Sequence, residues 1–510
     1  MGKQEELFNP EFSERLMQFS REELVTLIKD QQRAIKLISR ENSHLRALQG
    51  LLKQKTLFVS ELFITLKNRL FGKSSERLPK EEGDLPTEDK KAKRRVQLPS
   101  LRYPNLPLVE RDVTMDNPPP CACCGGDLKD SGMTEDSEFL TVIPAQYFVV
   151  RQKRHKYRCE KCHGDLQTTP APPRIKEGSS YSDEMIQDVS LSKFCDLIPV
   201  ERYCAIAARN GVKELPSQSL IEATHNLAEF LRRVADKIRA EVLLAKVLHA
   251  DETPHRMLEG DEKENWYLWG FSTKKSSYFE CHDTRSGDVA SSLLIKSKCE
   301  FLVSDVFSGY AKAVRDTNRA RAEKGLCAVK NVYCNSHARR KFKEAREHGH
   351  DASLFYLEQY REIYRLEGEA RGRPPDEVSR AREKMAPLFA AMKERALSEI
   401  EAHPAKGSMV RALSYLLNNF EGLSLFLGDP ELPIDNNPQE RLLRNPVIGR
   451  KTWYGTHSRR GAQTAATLFT IIESCKLNRI NPREYVKKIV EEIHEGKPAL
   501  TPAEVASLAH

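Results

Sequence analysis

Apolar residues recur every three or four positions from about residue 21 to 70: Leu24, Ile28, Ile35, Ile38, Leu45, Leu52, Val59, Phe63 and Leu66. That spacing predicts a long amphipathic helix. Gln31 and Asn42 interrupt the seam, as polar residues do where a coiled coil fixes its register and strand number. The pattern therefore favours pairing with a second copy of the chain, the alternative being a helix packed on its own domain. Residues 74–120 are rich in Pro, Lys and Glu, contain Lys90-Lys-Ala-Lys-Arg-Arg95 and end in Pro118-Pro-Pro120. They read as a linker. Residues 181–245 return to helical spacing, with Pro199–Arg209, then Asn210-Gly211, then a longer helix from Ser217. This is either a helix-turn-helix with a long turn or a plain helical bundle.

From residue 246 the pattern changes to short apolar runs. Lys246–Ala250 predicts a strand ending at Asp251, Trp266–Phe271 a second and Tyr278–Cys281 a third. A helix over Asp288–Lys298, a strand over Phe301–Val303 leading into Asp305, a helix over Ser308–Ala322 and a strand over Asn331–Cys334 follow. Three strands, helix, strand, helix, strand is the ribonuclease H-like order, in which the first and fourth strands are neighbours. Leu354–Arg365 and Val378–Glu401 then predict a helical insertion before Asp435-Asn-Asn-Pro-Gln-Glu440 opens a basic helix.

A chain of 510 residues needs several cores. The division expected is a coiled-coil region at 1–72, a linker at 73–118, a zinc-binding module at 119–178 and a helical region at 179–244. A catalytic core at 245–334 and 431–495 is split by a helical insertion at 335–430. Mean composition is 39% apolar and 30% charged, with no apolar run long enough to span a bilayer and no secretory leader, so the reading is cytoplasmic and without a membrane partner. A net charge of +8 permits a polyanionic partner.

Twelve cysteines in a reducing compartment are poor disulfide candidates, so clustered ones are read as metal ligands. Cys121-Ala-Cys-Cys124 and Cys159-Glu-Lys-Cys162 are two such clusters, and Gly125 and Gly126 permit the first turn. The strand-like runs Phe139–Ile143 and Tyr147–Val150 between them would return the second knuckle to the first. Cys121, Cys124, Cys159 and Cys162 then make a tetrahedral Zn²⁺ site. Cys123 competes with Cys124, and His155 and His163 are nearby alternatives.

Asp251, Asp305 and Glu440 carry the candidate catalysis. Two strand-end aspartates and a helix-borne glutamate can hold two hard cations, Mg²⁺ or Mn²⁺, about 3.5 to 4 Å apart. Each also has a structural alternative. The aspartates can cap turns, and Asn437-Pro-Gln-Glu440 matches an Asn N-cap with Pro at the first helical position. His337, Arg339, Arg340 and Lys341 after the fifth strand, and Arg444, Arg450 and Lys451 after Glu440, are candidate DNA-backbone contacts, with solvated cations as the alternative.

Leu248-His-Ala-Asp-Glu-Thr-Pro254, Ser304-Asp305 with Ser308-Gly-Tyr310, His337-Ala-Arg-Arg-Lys-Phe342, Asp435-Asn-Asn-Pro-x-Glu440-Arg441, and Gly449-Arg-Lys451 with Trp453 together resemble the insertion sequence 66 type transposases. The likeness extends to Leu70-Phe-Gly-Lys-Ser-Ser-Glu-Arg77, the paired knuckles, and Lys193 with Ile198-Pro-Val-Glu-Arg202. It implies a multidomain α+β bacterial enzyme that binds the ends of an insertion sequence in double-stranded DNA. Such an enzyme cleaves strands and joins 3′ ends to target DNA through an acidic triad at Asp251, Asp305 and Glu440, working as at least a dimer, with or without accessory proteins of the same element. The alternatives are an inactive zinc-containing DNA-binding relative and a nuclease that only hydrolyses.

Overall fold

The computed structural model describes residues 20–71, 98–113, 120, 122–127, 135–141, 145–160, 166–258, 265–403 and 405–508. The chain divides into two compact units. The smaller, residues 73–153 with 207–213, holds little regular structure among its described residues; the Ser100 N–H and hydroxyl both donate to the Glu138 carboxylate at 2.8 Å. Residues 139–141 and 147–150 form no ladder there, contrary to the strands that their apolar character predicts, and Phe139, Leu140, Phe148, Val149 and Val150 are all exposed. Without a face to bury, β-branched character does not make a strand.

The larger unit opens with a helix over Arg21–Phe71, on which Val25, Ile28, Ile35, Ile38, Leu45 and Val59 are exposed. Of the expected coiled-coil seam, Ile28, Ile35, Ile38, Leu45 and Val59 thus face solvent, while the side chains of Leu24, Leu52, Phe63 and Leu66 lie outside the described residues. Further along, the hairpin strands β1 (Lys156–Arg158) and β2 (Leu166–Thr168) pair antiparallel.

At the centre stands a five-stranded mixed sheet: β3 (Val247–Arg256), β4 (Asn265–Ser272), β5 (Ser277–His282), β6 (Phe301–Ser304) and β7 (Lys330–Tyr333). Its order is β5-β4-β3-β6-β7, with β3, β4 and β5 antiparallel and β6 and β7 parallel to β3. Strand alternation sorts the side chains into two faces. One carries Leu248, Ala250, Trp269, Phe271 and Leu302, covered by the Gly287–Leu294 and Ser308–Ala322 helices.

The other face has two coverings. At its β4–β5 end, Leu268 and Phe279 join a core with helices Asp183–Phe194, Ser217–Phe230, Arg232–Leu244, Arg459–Leu477 and Pro482–His494. The helices before the sheet and those after Glu440 therefore share one core; residue 244 does not separate two. At the β6–β7 end, Val303 and Val332 pack into the core of the helical segment Asn335–Glu347, Ser353–Ala370, Pro375–Glu399 and Ser408–Asn418. That excursion leaves and returns at one place. The Asn335 amide donates to Leu423 O at 2.9 Å and Ile434 O at 3.1 Å, and the Asn335 N–H donates to Ile434 O at 3.2 Å. No helix among the described residues is long and apolar enough to cross a membrane.

Candidate active site

β3 and β6 pair in parallel only from Val247↔Phe301 to His249↔Val303. Asp251 and Asp305 each lie two positions beyond the last pair, so alternation puts them on the face of His249 and Val303. β3 does not end at Asp251, as its apolar run predicts. It continues to Arg256 because β4 pairs with it as far as Arg256↔Asn265, and Asp251 lies opposite Gly270. What stops beside Asp251 is β6, and the Asp305 carboxylate there accepts the Phe307 N–H at 3.0 Å.

Glu440 comes from the first turn of the Asn437–Trp453 helix. Sequence predicts Asn437 as its N-cap; the cap position is instead Asn436, and its side chain makes no cap bond. That side chain is committed to β3. The Asn436 amide donates to Ala250 O at 2.9 Å, its carbonyl lies 2.9 Å from His249 Nδ1, and its backbone N–H donates to Cys334 Sγ at 3.2 Å. Asp435 caps the start in its place, accepting the Asn437 N–H at 3.1 Å. One residue before Glu440, Gln439 is fully buried against β4, bonded by the Ser272 hydroxyl. Gly270 makes this approach feasible. A Cβ there would collide with the Gln439 amide and come within 2.9 Å of the Phe279 ring.

Burial pushes the Asp251 carboxyl well above the ordinary carboxylate range, and the neighbouring Glu252, Asp305 and Glu440 add to the rise. Asp305 and Glu440 thus lie within electrostatic reach of Asp251, although the ligand atoms gathered within 4.8 Å of one another among the described residues are those of Cys334, His337 and Glu440.

Alternation sends Glu252 through to the opposite face. There its side chain is 2% exposed, accepts the Tyr310 hydroxyl, and is paired with Arg285 at 2.7 Å. The Arg285 guanidinium is half exposed and lies 4.2 Å from the centroid of the Phe307 ring. Sequence reading missed this group. Tyr310 stood in a quoted motif, but Arg285 sits in a loop with no spacing to mark it.

The basic candidates fall into different settings. His337 is not aligned with its basic neighbours: its Nδ1 lies 3.6 Å from Glu440 Oε1, and both atoms are buried without a hydrogen-bond partner among the described residues. Arg339 lies over the Tyr364 ring at 5.8 Å, Arg340 is half-buried, and Lys341 pairs loosely with Glu344 at 3.8 Å. Arg444, one turn after Glu440, is exposed, as is Lys451. Arg450 donates to Pro254 O and so ties the helix to β3.

Cys121 and Cys162 lie outside the described residues. Cys124 ends a turn at 122–124, followed by Gly125 at φ +72°, a left-handed conformation that suits glycine. Cys159 directly follows β1 in the β1–β2 hairpin, and Cys123, Cys124 and Cys159 are exposed. Tight turns presenting thiols from Cys-x-x-Cys spacing fit Zn²⁺.

Comparison with known families accords with both regions. Residues 178–464 match the model described as Transposase IS66 family, and residues 118–163 match the zinc-finger binding domain of transposase IS66. Among curated proteins, the uncharacterized protein y4hP of Sinorhizobium fredii (strain NBRC 101917 / NGR234) is 28% identical over 76% of this chain and 72% of its own length. The uncharacterized protein y4jD of the same strain is 26% identical over 75% of this chain and 76% of its own. With more than half of its length under one family model, spanning the sheet and all three acids, the chain belongs to the IS66 family of transposases.

Proposed function

We propose that this protein cleaves DNA at the ends of an insertion sequence and joins the freed 3′ ends to target DNA, with Asp251, Asp305 and Glu440 holding two divalent cations. The observation that supports the reading is the placement of Asp251 and Asp305 on one face of the adjoining strands β3 and β6, with the first turn of the Asn437–Trp453 helix, which carries Glu440, tied to β3 through Asn436. The strand order, with β3 between an antiparallel and a parallel neighbour, supports a ribonuclease H-like core.

Hard oxygen donors fit Mg²⁺ or Mn²⁺, and Glu440 Oε1, buried with no hydrogen-bond partner among the described residues, suits a ligand atom. Such a pair, when bound, activates the attacking oxygen and stabilises the leaving one. The chain's own part is orientation. Asn436 fixes the start of the Glu440 helix on β3, and Gln439 fixes its depth. In the first step water attacks the phosphorus at the element end and a 3′-hydroxyl leaves. In the second that hydroxyl attacks a target phosphodiester and displaces a 3′-oxygen. Arg285, held by Glu252 and lying over the Phe307 ring two residues beyond Asp305, and Arg339, Arg340, Lys341, Arg444, Arg450 and Lys451 supply charge along the DNA. Cys121, Cys124, Cys159 and Cys162 hold Zn²⁺ in a module for end binding, and the apolar stripe on the Arg21–Phe71 helix pairs copies of the chain.

The test is strand cleavage and strand transfer on cognate ends with Asp251→Asn, Asp305→Asn and Glu440→Gln. Each should lose more than about a hundredfold, since outer-shell partners of metal ligands alone cost roughly 10- to 100-fold, while end binding persists. Near-normal transfer by any of the three removes that residue from the site; cleavage without joining in the wild type makes the protein a nuclease.

A further inference from the structure

We infer that His337 supplies a nitrogen ligand, through Nδ1, to the divalent ion that Glu440 holds, so that the site binds Mn²⁺ in preference to Mg²⁺. The inference rests on the metal-pair reading above and adds a protein ligand of different chemistry to it.

Geometry comes first. His337 Nδ1 and Glu440 Oε1 face each other at 3.6 Å, too far for a hydrogen bond. Two donors held about 2.0 to 2.2 Å from one ion at tetrahedral or octahedral angles lie roughly 2.8 to 3.6 Å apart, so the pair is already at the upper end of ligand spacing. Neither atom has another hydrogen-bond partner among the described residues, although both are buried. Buried polar atoms left without partners cost about 1 to 3 kcal/mol each, and a shared cation would satisfy both at once. Cys334 Sγ lies in the same cluster, all three ligand atoms being within 4.8 Å of one another. Its sulfur is already engaged by the Asn436 N–H at 3.2 Å, which leaves the nitrogen and the carboxylate oxygen as the uncommitted donors.

Rigidity comes second. His337 and Glu440 sit in the first turns of two helices, Asn335–Glu347 and Asn437–Trp453, whose starts are cross-tied. Cys334 accepts from Asn436, and Asn335 donates to Ile434. Each donor thus stands within one turn of the tie, so the spacing of the two helix starts that carry them is fixed by these bonds and by the Asn335 N–H donating to Ile434 O at 3.2 Å. Selectivity follows from donor type. Carboxylates and water suit Mg²⁺ and Mn²⁺ alike, and an added imidazole nitrogen tips the balance toward the transition ion.

The test uses Mn²⁺ as the probe on full-length, zinc-loaded protein, with pulsed electron paramagnetic resonance to detect ¹⁴N coupling to the bound ion. The wild type should show the coupling. His337→Ala and His337→Gln should lose it, weaken Mn²⁺ binding about tenfold or more, and reduce the ratio of Mn²⁺ to Mg²⁺ affinity, with unchanged circular dichroism. Mn²⁺ that binds in a Glu440-dependent way without ¹⁴N coupling overturns the inference and leaves the metal pair standing. Coupling that survives in both His337 variants also overturns it. Mn²⁺ binding indifferent to Glu440→Gln brings down the metal-pair reading and this inference with it.

Discussion

Asn436 shows how much of the candidate site is positioning. Its side chain bridges Ala250 O and the His249 ring, one and two positions before Asp251, from a place four residues before Glu440. Asn436→Ala would strand a buried carbonyl and a buried imidazole, which costs about 1 to 3 kcal/mol for each unsatisfied group. A shift of about 1 Å in Glu440 would lower cleavage about a hundredfold. Chemical denaturation and strand-cleavage rates should therefore fall together in this variant, whereas Glu440→Gln should lose activity with little change in midpoint. Arg285 makes the opposite case. It is half exposed, yet it anchors on a carboxylate that is 2% exposed and stacks on Phe307. Arg285→Ala should lower cleavage about ten- to a hundredfold and reduce the salt slope of end binding by about one. Arg285→Lys should recover only part, because an ammonium cannot make the forked contact. An unchanged salt slope in Arg285→Ala would confine this residue to supporting Glu252.

Among elements, the strands and helices of the sheet region were readable because they obey simple periods. Phe301–Ser304 and the Ser308–Ala322 helix fall where apolar runs and helical spacing put them. The length of β3 was not readable, since Glu252-Thr-Pro-His-Arg256 is too polar to announce a strand and pairs only because β4 lies beside it. The same polarity hid the second carboxylate, Glu252, which strand alternation carries to the far face. Phe139 and Val149 failed in the other direction: apolar enough for strands, they stay exposed without a ladder. The pairing of His337 with Glu440 was likewise invisible, because more than a hundred positions separate them and nothing local marks the contact. The β1–β2 hairpin, three residues a side and exposed throughout, is too small to hold itself together. Its stability should come from metal. Elemental analysis should find one zinc per chain, and Cys159→Ser should lose it, loosen the hairpin and weaken end binding, with the sheet unfolding at the same denaturant concentration as before. Replacement of Cys123 should be milder than replacement of Cys121, Cys159 or Cys162.

For the whole molecule, a reaction that joins two DNA ends must hold them together, and the Arg21–Phe71 helix offers Val25, Ile28, Ile35, Ile38, Leu45 and Val59 to solvent. Exposed apolar stripes of this kind mark interaction surfaces. Removal of residues 1–70 should lower the mass seen by light scattering and abolish paired-end complexes, while hydrogen exchange in the sheet stays as it was. A truncated chain as oligomeric as the full one would return the stripe to an intramolecular role. The excursion between β7 and Glu440 has a different bearing on the molecule. Because Asn335 fastens its first residue to Ile434 near its last, the excursion is a closed ring hung from the site, and its contour length does not set where Glu440 stands. The entropy of closing such a ring rises only with the logarithm of its length, by about 0.6 kcal/mol for each doubling. The ring can therefore be lengthened, trimmed or given another surface without moving Glu440, so long as the clasp at Asn335 is kept.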